Sequence, residues 1–529
     1  MKNAINEQVK IFCLSALLIV GACKTTKRVV ATKEENKTVA VKDDGKIEVV
    51  FVQVNDVYEI APIAGGKEGG MARVASVKSR YKKENRNTFL VISGDFVSPS
   101  VYNSLQYQGK KIRGAQMVES MNAAGMDFAV FGNHEFDINE NELQDRINES
   151  RFAWVSTNTF HKIKDSIVPF ARTNVSVGGA IPETYIMRVN DQDGTSAKIG
   201  LIGITLPSNP ADFVFYKDPL SAAKQAYNAL KDSVDAVVAI THQAEADDII
   251  LAKELPGLAA ILGGHEHSGV FDKTGNVYIT KAHSNARSAY IVKLDIDKNA
   301  HRFTVPQPQL KYLNDSIPLD SATDLVVEKW KKIAEDNYAS LGFDPKKVVL
   351  ASGEPLEGRE TEVRNSSTNL TRIATAAIAA ACPKAEVVLF NSGSIRLDDI
   401  LTPPVTQYDI IRTLPFGGGV REVDMKGDLL VQVLQAGLKN KNGGGFLQYQ
   451  PVIYNAARNV FTINNQPIKL KKTYRVALND FLLSGKEANL GFLNEKNPKI
   501  VKVYPAETTV GSAKSDIRAA IVKYLESRK

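Results

Sequence analysis

The sequence sets acids, amides and imidazoles directly after one apolar run after another. Asp56 follows FVQV, and Asp95 follows TFLVISG. Asn133, His134, Glu135 and Asp137 follow DFAVFG, His242 follows DAVVAIT, and His265 and His267 follow AAILGG. Oxygen and nitrogen donors from five segments, with no thiolate among them, suit Zn, Mn or Fe better than a thiolate-rich structural site. Taken singly, each piece is ordinary: Gly94-Asp95 makes a common turn, and a lone histidine on an apolar run is more often a core residue. GNHEFD (132–137) is different, because a glycine that permits close backbone approach is followed by amide, imidazole and carboxylate, a string that packing does not explain. Of the seven histidines, His134, His242, His265 and His267 fall in this pattern, whereas His161, His283 and His301 read as surface or structural.

These groups meet only if the runs are strands of a layered α/β fold, whose carboxyl ends open on one crevice. The runs IEVVFVQV, TFLVIS, DFAVF, AKIGLIGIT, DAVVAI, AAILGG, VYIT and AYIVKLDI alternate with helical segments. Many are apolar at successive positions, as strands covered on both faces are. GAQMVESMNAAG carries a helical stripe and closes at Gly125. The pattern stops near VPQPQ (305–309), and residues 320–340 read as a connecting helix with Leu325, Val326, Trp330 and Ile333 on its apolar face. A second α/β region starts near Lys347 with VVLAS and continues through AEVVLFNSG, GDLLVQVLQAGL and TYRVALNDFLL. The 529 residues thus divide into a first domain at 46–310, a linker with its helix at 311–345, and a second domain at 346–529.

Lys2 and Lys10 flank the start of a short apolar run, IFCLSALLIV, that ends in Gly21-Ala22, which reads as an export signal over 1–22. The run is too short to span a bilayer stably. Residues 23–45 are polar and free of aromatics, as a flexible tether would be. Only Cys13, Cys23 and Cys382 are present, so the exported chain folds on its core and not on disulfides. The net charge of +7 arises from 66 basic and 59 acidic residues that are interspersed, which argues against a nucleic-acid surface. No G-x-S-x-G or P-loop string suggests a different chemistry.

NDVY (55–58), GD (94–95), GNHEFD (132–137), TH (241–242) and GGHEH (263–267) resemble, in order and spacing, the calcineurin-like metallophosphoesterases. NSGSIR (391–396), LPFGGG (414–419) and NDFLLSG (479–485) resemble the C-terminal domain of the 5′-nucleotidase family. The resemblance implies a four-layer α/β/β/α metallophosphoesterase domain joined by a helix to a smaller α/β substrate-binding domain. It implies two divalent metal ions bridged by Asp95, with Asn133, His242 and His265 at one site and Asp56 and His267 at the other. His134 would be the catalytic imidazole, oriented by Asp137. Two cations would hold water in line with phosphorus and offset the charge on the phosphoryl oxygens. A nucleobase would stack between Phe416 and Phe481, near Asn391, Arg396 and an arginine for which Arg359 and Arg364 are the candidates. Two phenylalanines would serve a core equally well. Val20-Gly21-Ala22-Cys23 resembles a bacterial lipobox, which implies an acylated Cys23 holding a periplasm-facing or cell-surface lipoprotein on a membrane.

The reading that follows is an exported, membrane-anchored phosphohydrolase, monomeric, that acts on a small phosphoester such as a nucleotide and on no nucleic-acid polymer. The alternatives are 2′,3′-cyclic-nucleotide phosphodiesterase or nucleotide-sugar hydrolase activity on the same metals, or a binding lipoprotein without turnover. The chain departs from the family in three places. Tyr58 stands where a histidine ligand is usual, and a phenol, with an ordinary pKa of about 10, must ionise to replace an imidazole. SGKEANLGF follows Phe481 in place of Gly-Gly-Asp and leaves Glu487 as the nearest acid. RNSSTNLTRI (364–373) lacks both the Glu before Thr-Asn-Leu and the Gly-Asn after it.

Overall fold

The computed structural model describes residues 43–208 and 211–528. The export signal, Cys23 and nearly all of the tether lie outside the described residues. Among the described residues, no helix is long and apolar enough to cross a membrane.

Strand alternation builds the first domain. Along Lys46–Val54, Ile47, Val49 and Phe51 enter a core shared by two facing sheets, while Val50, Val52 and Val54 enter a core beneath helices. The first sheet runs in the order Arg302–Thr304, Ser288–Asp297, Lys46–Val54, Thr88–Ser93, Phe128–Val130, Ala153–Trp154. The second runs Val270–Thr274, Val277–Lys281, Ala260–Gly264, Ala236–His242, Ser196–Thr205, Thr184–Asn190. Helices Met71–Glu84, Ala115–Ala123 and Glu140–Glu149 cover the first sheet. Pro219–Leu230 and Glu245–Glu254 cover the second, through Ala223, Ala226, Leu230 and Leu251. The result is the four-layer α/β/β/α order.

The central strands of each sheet are parallel. Their carboxyl ends are drawn together by bonds between the sheets: Gln53 Nε2 donates to Gly263 O (2.8 Å), Ser93 Oγ to Leu262 O (2.9 Å) and Thr205 Oγ1 to Phe131 O (2.6 Å).

The connecting helix spans Ser321–Ser340, with Asp320 capping it by accepting from Thr323 N. Trp330 is buried and Val326 and Ile333 pack partly buried on the core, as the sequence suggests, and Leu325 is the one correction. Leu325 is 74% exposed, whereas Val327, Trp330, Ala334 and Tyr338 are buried against helices Met71–Glu84 and Ala115–Ala123. The aromatics set this rotation because their polar tips find partners, Trp330 Nε1 donating to Glu119 (2.8 Å) and Tyr338 OH to Val101 O (2.9 Å).

The second region is built on a five-stranded sheet in the order Leu447–Gln450, Val387–Asn391, Thr473–Asn479, Val420–Lys426, Ile500–Val503. Helix Gly427–Lys439 packs Leu429, Leu430, Val433 and Leu434 against it. Cys382 is buried and forms no disulfide.

Candidate active site

Asp56, Asp95 and His242 each present a ligand atom within 4.8 Å of the others, and all three are buried. His242 Nδ1 donates to the Ser93 carbonyl (2.7 Å), so its Nε2 faces the acids, 3.1 Å from Asp95 Oδ2 and 4.0 Å from Asp56 Oδ1. His265 donates its backbone N–H to Asp56 Oδ2 (3.0 Å), and its ring centroid lies 5.5 Å from that of His242. His267 Nε2 is 3.5 Å from Asp56 Oδ1. Tyr58 OH lies 3.3 Å from Asp56 Oδ1, 3.3 Å from Asp95 Oδ2 and 3.0 Å from His267 Nε2. Asn133 Oδ1 is buried with no hydrogen-bond partner, and His242 Nε2 meets only the carboxylates. An orphaned carbonyl oxygen and two buried carboxylates are costly unless a cation takes them up. This donor set fits divalent metal ions.

The loops that carry these groups are strained. Asp56 (φ 52°), Asp95 (φ 55°) and His265 (φ 89°) occupy the left-handed region that non-glycine residues rarely adopt. Gly94 (φ 77°) must be glycine on two counts, since a Cβ there would lie 2.6 Å from His242 Nδ1 and 2.7 Å from Gly132 Cα. Glu135, absent from the expected ligands, holds the loops in register. Its carboxylate is fully buried and accepts from the backbone N–H groups of Asp95, Phe96, Val97 and Gly132 at 2.5–3.0 Å. Burial and the Asp95 charge push this carboxyl up to about 7 against those bonds. Its signal in the sequence was an acid inside GNHEFD that no metal role required.

Without a cation, protons balance the acids. Burial would raise the Asp95 carboxyl, but His242 and His134 outweigh it and hold it well below the usual range. Burial would likewise lower His242, yet Asp95 and Asp56 push it up to about 9. His265 is lowered by burial and by its neighbour His242. His134 and Asp137 share a 3₁₀ turn, with Nδ1 2.7 Å from Asp137 Oδ2, while the His134 backbone N–H donates to Asp95 Oδ1 (2.8 Å). Burial lowers His134, but Asp95 and Asp137 raise it above the ordinary histidine value. His161 stands apart, stacked on Phe170 (4.9 Å) and paired with Glu140. His283 contacts Ser288.

Residues 49–269 match the family model of the calcineurin-like phosphoesterases, and residues 348–493 match that of the 5′-nucleotidase C-terminal domain. The chain is a two-domain metallophosphoesterase of the 5′-nucleotidase family. It is 25% identical over 494 residues to the trifunctional nucleotide phosphoesterase YfkN of Bacillus subtilis, a match covering 84% of this chain and 32% of that protein. It is 24% identical over 494 residues to the 5′-nucleotidase of Bos taurus, covering 82% and 80%. The crystal structure of a 5′-nucleotidase precursor from Thermus thermophilus shares the fold, with a TM-score of 0.68 at 22% identity over 91% of this chain and 97% of that one. A metallophosphoesterase of this family is a metal-dependent phosphoester hydrolase.

The phosphoesterase site borders the second domain, where Arg396 and Tyr58 line one narrow cleft. Larger hollows at the first sheet's edge and on the second domain hold none of the converging acids and imidazoles. Phe416 and Phe481 are 50% and 42% exposed, so neither is spent on the core. The Arg396 guanidinium lies 5.7 Å from the Phe416 ring centroid and 3.6 Å from Glu360, to which Arg364 is also paired. Arg359 turns to Glu357 and is half-exposed, so Arg364, not Arg359, sits beside Arg396. Asn391 is buried, donates to Glu487 (2.7 Å) and accepts from Asn479 (2.9 Å), which places Glu487 in the same polar cluster.

Burial, then Asp95 and Asp56, push the Tyr58 phenol well above 10, so in the metal-free site it is a neutral donor among acids. Tyr58→His substitutes a lone pair at the same place. Metal titration of this variant is expected to give binding at least about tenfold tighter at the site nearest Asp56, or 1.4 kcal/mol. Weaker binding would show that the phenol itself is a ligand.

Proposed function

We propose that this protein is an exported, membrane-anchored phosphohydrolase that releases phosphate from nucleotides. In this reading a signal over 1–22 is removed, Cys23 is acylated, and a tether over 23–45 carries a phosphoesterase domain at 46–310, a linker at 311–345 and a nucleotide-binding domain at 346–529. The observation that carries it is the convergence of Asp56, Asp95 and His242 beside a second-domain face that leaves Phe416 and Phe481 uncovered. The names of the relatives, a nucleotide phosphoesterase and 5′-nucleotidases, point to the same substrate class.

Asp95 would be shared by two metal sites, one completed by Asp56 and His267, the other by Asn133, His242 and His265. When bound, two divalent ions would strengthen water as a nucleophile and offset charge on the phosphoryl oxygens. The chain supplies the rest. Asp137 holds the His134 Nδ1–H, so the exchangeable proton sits on Nε2, ready for the leaving ester oxygen. Arg396 and Arg364 fix the anionic end of the substrate, and the phenylalanines accept any base because every base has a π-face.

Metal-free protein loaded with Mn²⁺, Zn²⁺ or Co²⁺ is expected to hydrolyse AMP with kcat/KM at least about tenfold above a generic aryl phosphate. Turnover of the aryl phosphate alone would overturn the nucleotide reading. Faster cleavage of a 2′,3′-cyclic nucleotide or of UDP-glucose would move the assignment to those diesters.

A further inference from the structure

Asp398 belongs to the second-domain segment that begins at NSGSIR, yet its carboxylate accepts a hydrogen bond from His267 of the first domain. That bond occupies Nδ1 and turns Nε2 toward Asp56 Oδ1 (3.5 Å) and Tyr58 OH (3.0 Å). A carboxylate behind a ligating imidazole fixes its tautomer and ring orientation and raises its basicity. Here that carboxylate crosses from the other domain, 131 residues along the chain. Asp398 is itself held for the task. Its backbone is left-handed (φ 42°), and its second oxygen accepts the Glu360 N–H (2.7 Å), so both oxygens have an assigned partner. Its neighbour Asp399 anchors the domains separately through Arg287 (3.1 Å) and does not touch His267.

We propose that Asp398 is a positioning residue for the metal site of Asp56 and His267, so that this site reaches full affinity only with the second domain docked. The inference rests on reading those two residues as ligands. The test is Asp398→Asn in the full chain. Asparagine accepts the left-handed backbone and keeps an oxygen for Glu360 N–H, but it loses the charge behind the imidazole. Asp399→Asn, which takes the charge from the Arg287 pair and leaves the partner of His267 in place, is the control for domain docking.

Mn²⁺ is titrated into each metal-free protein by calorimetry, with bound ions counted by paramagnetic resonance, and thermal unfolding of the metal-free forms is recorded alongside. The expected result is two Mn²⁺ in the parent, and in Asp398→Asn one at parental affinity and one loosened 10–100-fold. Asp399→Asn should bind as the parent does, and both variants should unfold at matching temperatures. Parental affinity for both ions in Asp398→Asn overturns the proposal. So does an equal loosening in Asp399→Asn, which would credit docking in general and not the partner of His267. A parent that takes up no Mn²⁺ brings down the reading of the metal centre itself, and the proposal with it.

Discussion

Asp95→Asn is expected to lower kcat/KM by at least about 10³-fold, about 4 kcal/mol of transition-state stabilisation, and to strip both metal sites together. The reason is position. Asp95 Oδ2 lies 3.1 Å from His242 Nε2 and 3.3 Å from Tyr58 OH, while Oδ1 accepts the His134 backbone N–H. One carboxylate thus faces both ligand groups, and a neutral amide weakens each. The loop itself should survive, because Glu135 grips the backbone N–H of residue 95 and asparagine tolerates the φ of 55°. Thermal unfolding of the metal-free variant checks that. A second readout follows from the raised His242. As a ligand in the parent, His242 would give up its proton to the metal, so affinity should climb with pH up to about 9 and binding should release protons. Asp95 is the largest of the charges that raise His242, so in Asp95→Asn the pH dependence should flatten. A variant that still binds two ions with the parental pH profile would remove Asp95 from the centre.

How far these residues were legible in the sequence depended on the range of the interaction that places them. The convergence of the strand-end side chains could be read because each hangs on a local pattern, an apolar run followed within a few residues by a polar atom, and parallel strands bring such ends together. The successive apolar residues of Lys46–Val54 announced burial on both faces, but which core each side chain enters is seen only in the fold. The connecting helix showed the weakness of local pattern. Leu325 shares its stripe with the buried Trp330 yet faces solvent, while Val327, Ala334 and Tyr338, whose OH is bonded to Val101 O, complete the core side. Glu135 was visible as a letter but not as a clamp, because its partners are backbone groups of a loop some 40 residues away. Asp398 could not be foreseen at all, since its partner is set by how the second domain docks. Arg359 and Arg364 were indistinguishable in sequence; what separates them is which glutamate, Glu357 or Glu360, each guanidinium meets.

His134→Gln is the complementary case, in which the metals stay and the chemistry goes. A general acid contributes typically 10²–10⁴-fold, and kcat for AMP is expected to fall by that factor with metal stoichiometry unchanged. Glutamine preserves the backbone N–H that Asp95 accepts and differs in having no proton to give. Two signatures separate this loss from a disturbed fold. As a general acid His134 would act in its protonated form, and its pKa lies above the ordinary value, so activity should decline as pH rises through that pKa, and the decline should vanish in the variant. The second is leaving-group dependence. A nucleoside hydroxyl leaves as a strong base and needs the proton, whereas a nitrophenolate does not, so the variant should lose far less on nitrophenyl phosphate than on AMP. Equal losses on both substrates would mean that His134 steadies charge on the phosphoryl group and does not protonate the leaving oxygen. Retained activity toward AMP would exclude it from either role, and would leave Asp137 orienting an imidazole that catalysis does not use.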